Sequence, residues 1–125
     1  ERLKGIGCEL TFKENYKAVR KGIPRVHELS REEQEKLIAE NPAYGTIVCR
    51  CETITEGEIL DAIHRPLGAR TVDAVKRRVR AGMGRCQGGF CGPKVIEILA
   101  RERDIPTEEV NKNLNGSYMV VGKNK

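Results

Sequence analysis

Four cysteines constrain this chain more than any other feature. Cys49-Arg50-Cys51 and Cys86-Gln87-Gly88-Gly89-Phe90-Cys91 are two tight pairs with 34 residues between them, and Gly84, Gly88, Gly89 and Gly92 surround the second. A fifth, Cys8, has no partner nearby in the sequence. An odd count with no charged-then-apolar leader argues against a secreted disulfide framework and for a reducing, cytoplasmic setting. In such a setting paired cysteines bind metal more often than each other. Free cysteine is also an ordinary core residue, but four of them in two Gly-flanked pairs make that reading poor. Cys8 is expected to be structural or incidental. His27 and His64 stand alone and suit surface or cap roles, and no C-x-H pair is present, which excludes a Rieske-type site.

Size makes a metal centre useful. A chain of 125 residues predicts one domain with an arm. Its core is expected between about Ile47 and Asn111, a stretch whose one aromatic residue is Phe90. Units of about 70–80 residues or fewer rarely gain more than a few kcal/mol from burial and commonly rely on a staple. A centre on four thiolates would serve, because its binding free energy becomes folding free energy. No apolar run approaches the ~18 residues needed to span a bilayer. The start at Glu1, without an initiator Met, suits an excised piece of something longer.

Local punctuation predicts helices. Ser30 with Glu33 has capping-box spacing and opens a helix that Pro42 stops after Asn41. Ile47 and Val48 make a short extended run into the first cysteine pair. Thr55 with Glu58 is a second capping box, starting a helix with Ile59, Leu60 and Ile63 on one face and ending before Pro66. Thr71 caps a third, with Val72, Val75 and Val79 inward and Gly82 as its expected stop. Pro93 suits the first position of a fourth helix, and Thr107 the start of a short fifth. Residues 8–13 alternate weakly, as a strand pairing elsewhere would. No strand-rich segment appears, so the expected fold class is all-α. The expected organisation is an arm or linker over 1–41 with a short helix near 31–40, a helical domain over 42–112, and a loosely held tail over 113–125.

Each cysteine pair falls just upstream of an expected helix start, where unpaired N–H groups and the positive dipole end favour anions. Glycines around the second pair let amides turn toward an anionic ligand. Charge is concentrated nearby: six bases and one acid lie between Arg70 and Arg85, and the remaining 17 bases balance the remaining 17 acids. Four thiolates on two ferric ions with two bridging sulfides carry a formal charge of minus two, and one-electron reduction adds another. The basic stretch would screen that charge. A two-iron cluster needs each iron to take its own cysteine pair, whereas structural zinc gathers four sulfurs around one ion, usually from C-x2–4-C knuckles. The residues by themselves leave iron–sulfur and zinc both open. A solvated face is the ordinary explanation of the basic helix around Lys76, Arg77, Arg78 and Arg80, and a nucleic-acid helix is a lesser alternative. Gly82-x-Gly84 follows a helix and is no dinucleotide fingerprint, and no nucleophile–base pairing is visible, so no catalytic residue is expected.

The segments Asn41-Pro42-Ala43-Tyr44-Gly45-Thr46-Ile47-Val48-Cys49-Arg50-Cys51-Glu52 and Gly84-Arg85-Cys86-Gln87-Gly88-Gly89-Phe90-Cys91-Gly92-Pro93 resemble the [2Fe-2S]-binding domain named after bacterioferritin-associated ferredoxin. The resemblance covers about Pro42 to Val110. The four-residue second spacer is similar to the version at the C-terminus of FAD-dependent oxidoreductases of the anaerobic glycerol-3-phosphate dehydrogenase type. Arg20-Lys21-Gly22-Ile23-Pro24 to Leu29-Ser30 resembles the linker leaving that flavin domain. The resemblance implies a helix-turn-helix-like fold with a [2Fe-2S] cluster on Cys49, Cys51, Cys86 and Cys91. It implies FAD in a missing N-terminal part of the parent protein only, and a parent that oxidises glycerol 3-phosphate or a related 2-hydroxy compound. The implied partners are that flavin domain and an electron-acceptor protein or subunit, with no nucleic acid and no membrane span. The alternative function is a zinc-binding structural or redox-sensing interaction module.

Overall fold

A computed structural model describes residues 5–7, 11, 14–16 and 19–122 of the chain. Cys8 and most of the weakly alternating run over 8–13 lie outside them.

The capping boxes form as the spacing requires. Helix α1 (Arg31–Glu40) begins at Ser30, whose backbone N–H and hydroxyl both donate to Glu33 Oε2, at 2.8 and 2.7 Å. It ends at Asn41, and Pro42–Gly45 follows as a 3-10 turn that α1 packs against. Helix α2 (Glu56–His64) begins at Thr55, whose N–H and hydroxyl each donate to Glu58 Oε2 at 2.8 Å. The second box is buried, and these two bonds are what make a carboxylate tolerable there.

The all-α expectation is overturned. Ile47–Cys49 (β1) and Ile54–Thr55 (β2) pair antiparallel, with Ile47 opposite Thr55, Cys49 opposite Ile54, and an irregularity between the two pairs. Two strands of two or three residues are too short to show alternation. Their β-branched residues are read as strand only once the partner is known, and Thr55 doubles as strand end and helix cap.

Helix α3 (Val72–Val79) buries Val75 and Val79 and carries Lys76, Arg77 and Arg78 in its last turn, where cations suit the negative end of the helix dipole. Its C-cap is Arg80 at φ 66° rather than Gly82, with the Arg80 N–H closing on Lys76 O at 2.9 Å. Helix α4 (Cys91–Arg103) starts two residues ahead of the expected Pro93, so Cys91 is its first residue. The expected fifth helix is a 3-10 turn, Thr107–Glu109. Beyond it, Asn111 O and Lys112 O accept from the Val72 and Asp73 amides, and Asn111 bridges to Tyr118, so the chain returns onto the start of α3.

The core gathers around α4: Ile96, Ile98, Leu99 and Val95 meet Ile59 and Ala62 of α2, Val75 and Val79 of α3, and Ile54 and Cys49 of the hairpin. Phe90, the aromatic expected inside, is 89% exposed. Among the described residues the buried aromatic is Tyr44, whose ring covers Gly57 and whose hydroxyl donates to Asp61 Oδ2 at 2.6 Å.

Candidate metal centre

The cysteines sit on two loops that α4 and the hairpin bring together. Cys49 ends β1 facing the core at 1% exposure, and Cys51 lies out in the turn that joins β1 to β2. The turn reverses through Thr53, at φ 53°. Cys91, at 2% exposure, is the first residue of α4, which packs against β1. Cys86 is half-buried in the loop between α3 and α4.

That second loop is wound tightly. Gln87 and Gly88 are both left-handed, at φ 48° and 85°. Gln87 N–H returns to Gly84 O and Gly89 N–H to Cys86 O, each at 2.9 Å, while the Gln87 side-chain amide donates to Met83 O and Gly84 O at 3.2 and 3.0 Å. The winding aims amides at a sulfur. The Cys86 thiol is held below its ordinary value of 9.0 by the nearby Phe90 amide first, then by the Cys51 thiol and the Gly88 and Gly89 amides. Cys91 is pushed the other way, up to about 11, by burial first and then by its neighbour Cys49.

Two sulfurs drawn from different sequence pairs meet directly. Cys51 Sγ lies 3.6 Å from Cys86 Sγ. Cys91 is near enough to both Cys49 and Cys86 for each to raise its thiol. Gly84 permits the first meeting: a Cβ there would stand 2.1 Å from Cys51 Cβ, so only glycine lets the second loop lie against the hairpin turn. Sequence reasoning gave Gly84 a general role in turning the loop and missed this close approach, which no local signal carries. It also missed Gln87.

Two thiolates on one tetrahedral metal ion, with bonds of about 2.3 Å, stand about 3.8 Å apart. The Cys51–Cys86 separation of 3.6 Å fits that requirement. Among the described residues no three His, Cys, Asp or Glu side chains converge as one mononuclear site would need. One close sulfur pair drawn from both loops, with two more cysteines on the core side, suits a centre spread over two ions, and amides near Cys86 suit an anionic one.

The basic stretch is only loosely tied to this site. Arg80 pairs with Glu52 at 2.6 Å, and Arg78 donates to Ala74 O and Leu67 O at 3.1 and 2.7 Å. Both line a cleft of about 660 Å³ with Arg20, Lys21, Arg25 and Arg65, and no cysteine is in its wall. His64 Nε2 stands 2.8 Å from Glu102 and His27 Nε2 3.7 Å from Glu28, both in solvent-exposed settings.

A family model described as the BFD-like [2Fe-2S] binding domain matches residues 47–101. Among curated proteins, the chain is 57% identical over 123 residues to a glycerol 3-phosphate dehydrogenase of Caloramator mitchellensis, covering 98% of this chain and 26% of that protein. It is 46% identical over 66 residues to an opine oxidase subunit of Rhizobium meliloti, 52% of this chain and 12% of that one. It is 34% identical over 64 residues to an anaerobic glycerol-3-phosphate dehydrogenase subunit of Escherichia coli K12, 51% of this chain and 12% of that one. The chain thus spans about a quarter or less of the length of these relatives. No solved structure gives a significant match. Among the described residues no helix is long and apolar enough to cross a membrane.

Proposed function

We propose, on the premise that residues 47–101 belong to the BFD-like [2Fe-2S] binding domain family, that this chain is the electron-relay part of a larger oxidoreductase. Cys49, Cys51, Cys86 and Cys91 would hold the cluster. When bound, such a centre supplies reversible one-electron exchange. The chain's own residues do the rest. Cys49 and Cys91 would hold such a group from the apolar core, the amides of Phe90, Gly88 and Gly89 near Cys86 would favour negative charge there, and Gly84 lets the two loops close. The observation that carries the reading is the 3.6 Å approach of Cys51 to Cys86, two residues 35 apart in sequence that the fold places at the spacing of shared ligands.

The relatives supply the setting. Two of those compared are named as glycerol-3-phosphate dehydrogenases or subunits of one, and another as part of an opine oxidase. The parent reaction is accordingly the oxidation of glycerol 3-phosphate or a related 2-hydroxy compound at FAD, in a domain this chain lacks. In that setting the flavin would supply two-electron chemistry toward the substrate, and a cluster held by Cys49, Cys51, Cys86 and Cys91 would supply one-electron exchange toward an external acceptor. The organisation proposed is a linker over 1–41, the cluster domain over 42–112 and a tail over 113–125, in the cytoplasm.

Anaerobic reconstitution with iron and sulfide tests the reading. Two irons and two sulfides per chain, visible colour, and an EPR signal after dithionite are expected. A folded chain that stays colourless and EPR-silent, or that binds one zinc and excludes iron when both are offered, would overturn it.

A further inference from the structure

We infer that the basic cleft walled in part by residues 20–25 binds a small organic polyphosphate of the nucleoside di- or triphosphate class. Its volume is about 660 Å³, and small-molecule sites run to roughly 300–1,000 Å³. Three segments far apart in sequence meet in its wall: the arm over 20–25, the link after α2 over 65–67, and the end of α3 with Arg80. No cysteine lines it, so the site stands apart from the metal centre and does not depend on the relay reading.

Charge in the wall is unbalanced. Six cations line the cleft against two carboxylates, and both carboxylates are engaged. Glu52 pairs with Arg80 at 2.6 Å, and Glu58 accepts from the Thr55 amide and hydroxyl at 2.8 Å each. Arg25 pairs with Glu28 at 2.9 Å. Arg20, Lys21, Arg65 and Arg78 form no ion pair among the described residues. The three arginines are held by backbone carbonyls instead. Arg20 donates to Pro66 O at 3.1 Å, Arg65 to Lys21 O, and Arg78 to Leu67 O and Ala74 O at 2.7 and 3.1 Å. A carbonyl positions a guanidinium without cancelling its charge. The Arg20 and Arg65 bonds also tie the arm to the link, so the cleft is formed before a ligand arrives. Like charges focused in one concave wall repel, and a bound anion relieves them. Guanidinium forks suit phosphate oxygens, which accept their N–H groups in pairs.

The wall is also partly apolar, which a bare phosphate does not require. Ile54 and Val79 are buried in it and Ile23 is half-buried. Leu67 lines the cleft at 90% exposure, in the left-handed region at φ 58°. A leucine with positive φ is uncommon, and the Arg78 bond to its carbonyl helps to hold it there. Leu67 and the Pro66 ring offer a face to a flat, weakly polar body such as a nucleobase, while the cations take the phosphates.

Calorimetric titration of the chain with magnesium-free ATP at low ionic strength tests the site. Micromolar binding that weakens with added salt is expected, with pyrophosphate weaker and adenosine not bound. Lys21→Gln removes a wall charge but none of the bonds named above. It should weaken ATP about tenfold, as loss of one charge-assisted hydrogen bond does, with unchanged circular dichroism. Arg31→Gln on the exposed face of α1 changes the net charge equally and should leave the affinity as it is. Leu67→Gly should weaken ATP several-fold and leave pyrophosphate unchanged. No ATP binding at millimolar concentration would overturn the inference, and so would equal losses in the Lys21 and Arg31 variants, the mark of diffuse attraction without a site. Adenosine bound as tightly as ATP, or Leu67→Gly weakening both phosphate ligands alike, would count against it in the same way. Duplex DNA that binds more tightly than ATP and displaces it would assign the cleft to nucleic acid instead.

Discussion

Gly84 shows how one residue can decide whether a site assembles. A methyl group there would need the space of Cys51 Cβ, 2.1 Å away, and both partners are fixed by backbone rather than by a flexible side-chain end. Overpacking of this kind costs about 1–3 kcal/mol. Here the relief is movement of the loop that carries Cys86. Gly84→Ala is expected to lose most of its iron and sulfide while keeping its helical circular dichroism, as metal analysis and far-ultraviolet spectra would show. Full iron content in that variant would mean that the loops do not need to touch. The ligand set makes a second expectation at the same scale. Cys86→Ala should abolish the visible absorption of the reconstituted chain, and Cys8→Ala should leave it unchanged.

At the scale of elements, two capping boxes with the same chemistry stand in different surroundings. Ser30 and Glu33 are exposed, whereas Thr55 and Glu58 are buried. Loss of an N-cap side chain costs about 0.5–2 kcal/mol. At Thr55 the loss also removes a donor from a buried carboxylate, a further penalty of about 1–3 kcal/mol. Thr55→Ala should therefore lower the Tm several-fold more than Ser30→Ala, at about 4–8 °C per kcal/mol for a domain of this size. Equal shifts in thermal melts would show that burial adds nothing to the cap. The sequence carried both boxes in full, because a cap is a local bond between residues three apart. It carried neither the β1–β2 pairing nor the end of α3 at Arg80. Strand pairing is a contact between segments, and a left-handed arginine is held by what surrounds it rather than by its own preference.

Across the whole molecule, ion pairs tie the elements together, and the proposed metal centre would add to them. Arg101 on α4 bonds to Glu56 on α2 at 2.7 Å and to Glu102 at 2.8 Å, and Glu102 also meets His64 at the end of α2. The Arg101 hydrogen bond, with that of His64, holds the Glu102 carboxyl below its ordinary value of 4.5 against the opposing effect of burial. A carboxyl with a lowered native value binds protons less readily folded than unfolded. Its contribution is complete above about pH 4.5 and is lost as pH falls through the native value. The Tm should fall on acidification through that window, and Glu102→Gln should flatten the fall there. A slope identical to wild type would remove Glu102 from the acid response. Because the proposed ligands come from the hairpin, from the middle of the α3–α4 loop and from the first residue of α4, cluster binding should also stabilise the fold. Stripping iron anaerobically is expected to lower the Tm and to increase amide exchange first at 49–53 and 84–91, read by hydrogen exchange.

The sequence by itself determined the starts of α1, α2 and α3, the inward faces of α2 and α3, and the four cysteines as two pairs, since each is a matter of spacing along a few residues. It also placed one aromatic, Phe90, in the core, where the structure instead buries Tyr44. Only the tertiary structure decided which sulfurs meet. Cys51 and Cys86 come together because a strand turn and a glycine loop are packed by the same helix, and Gly84 alone leaves room for the approach. Contacts across 35 residues depend on how the elements pack, which no local pattern encodes.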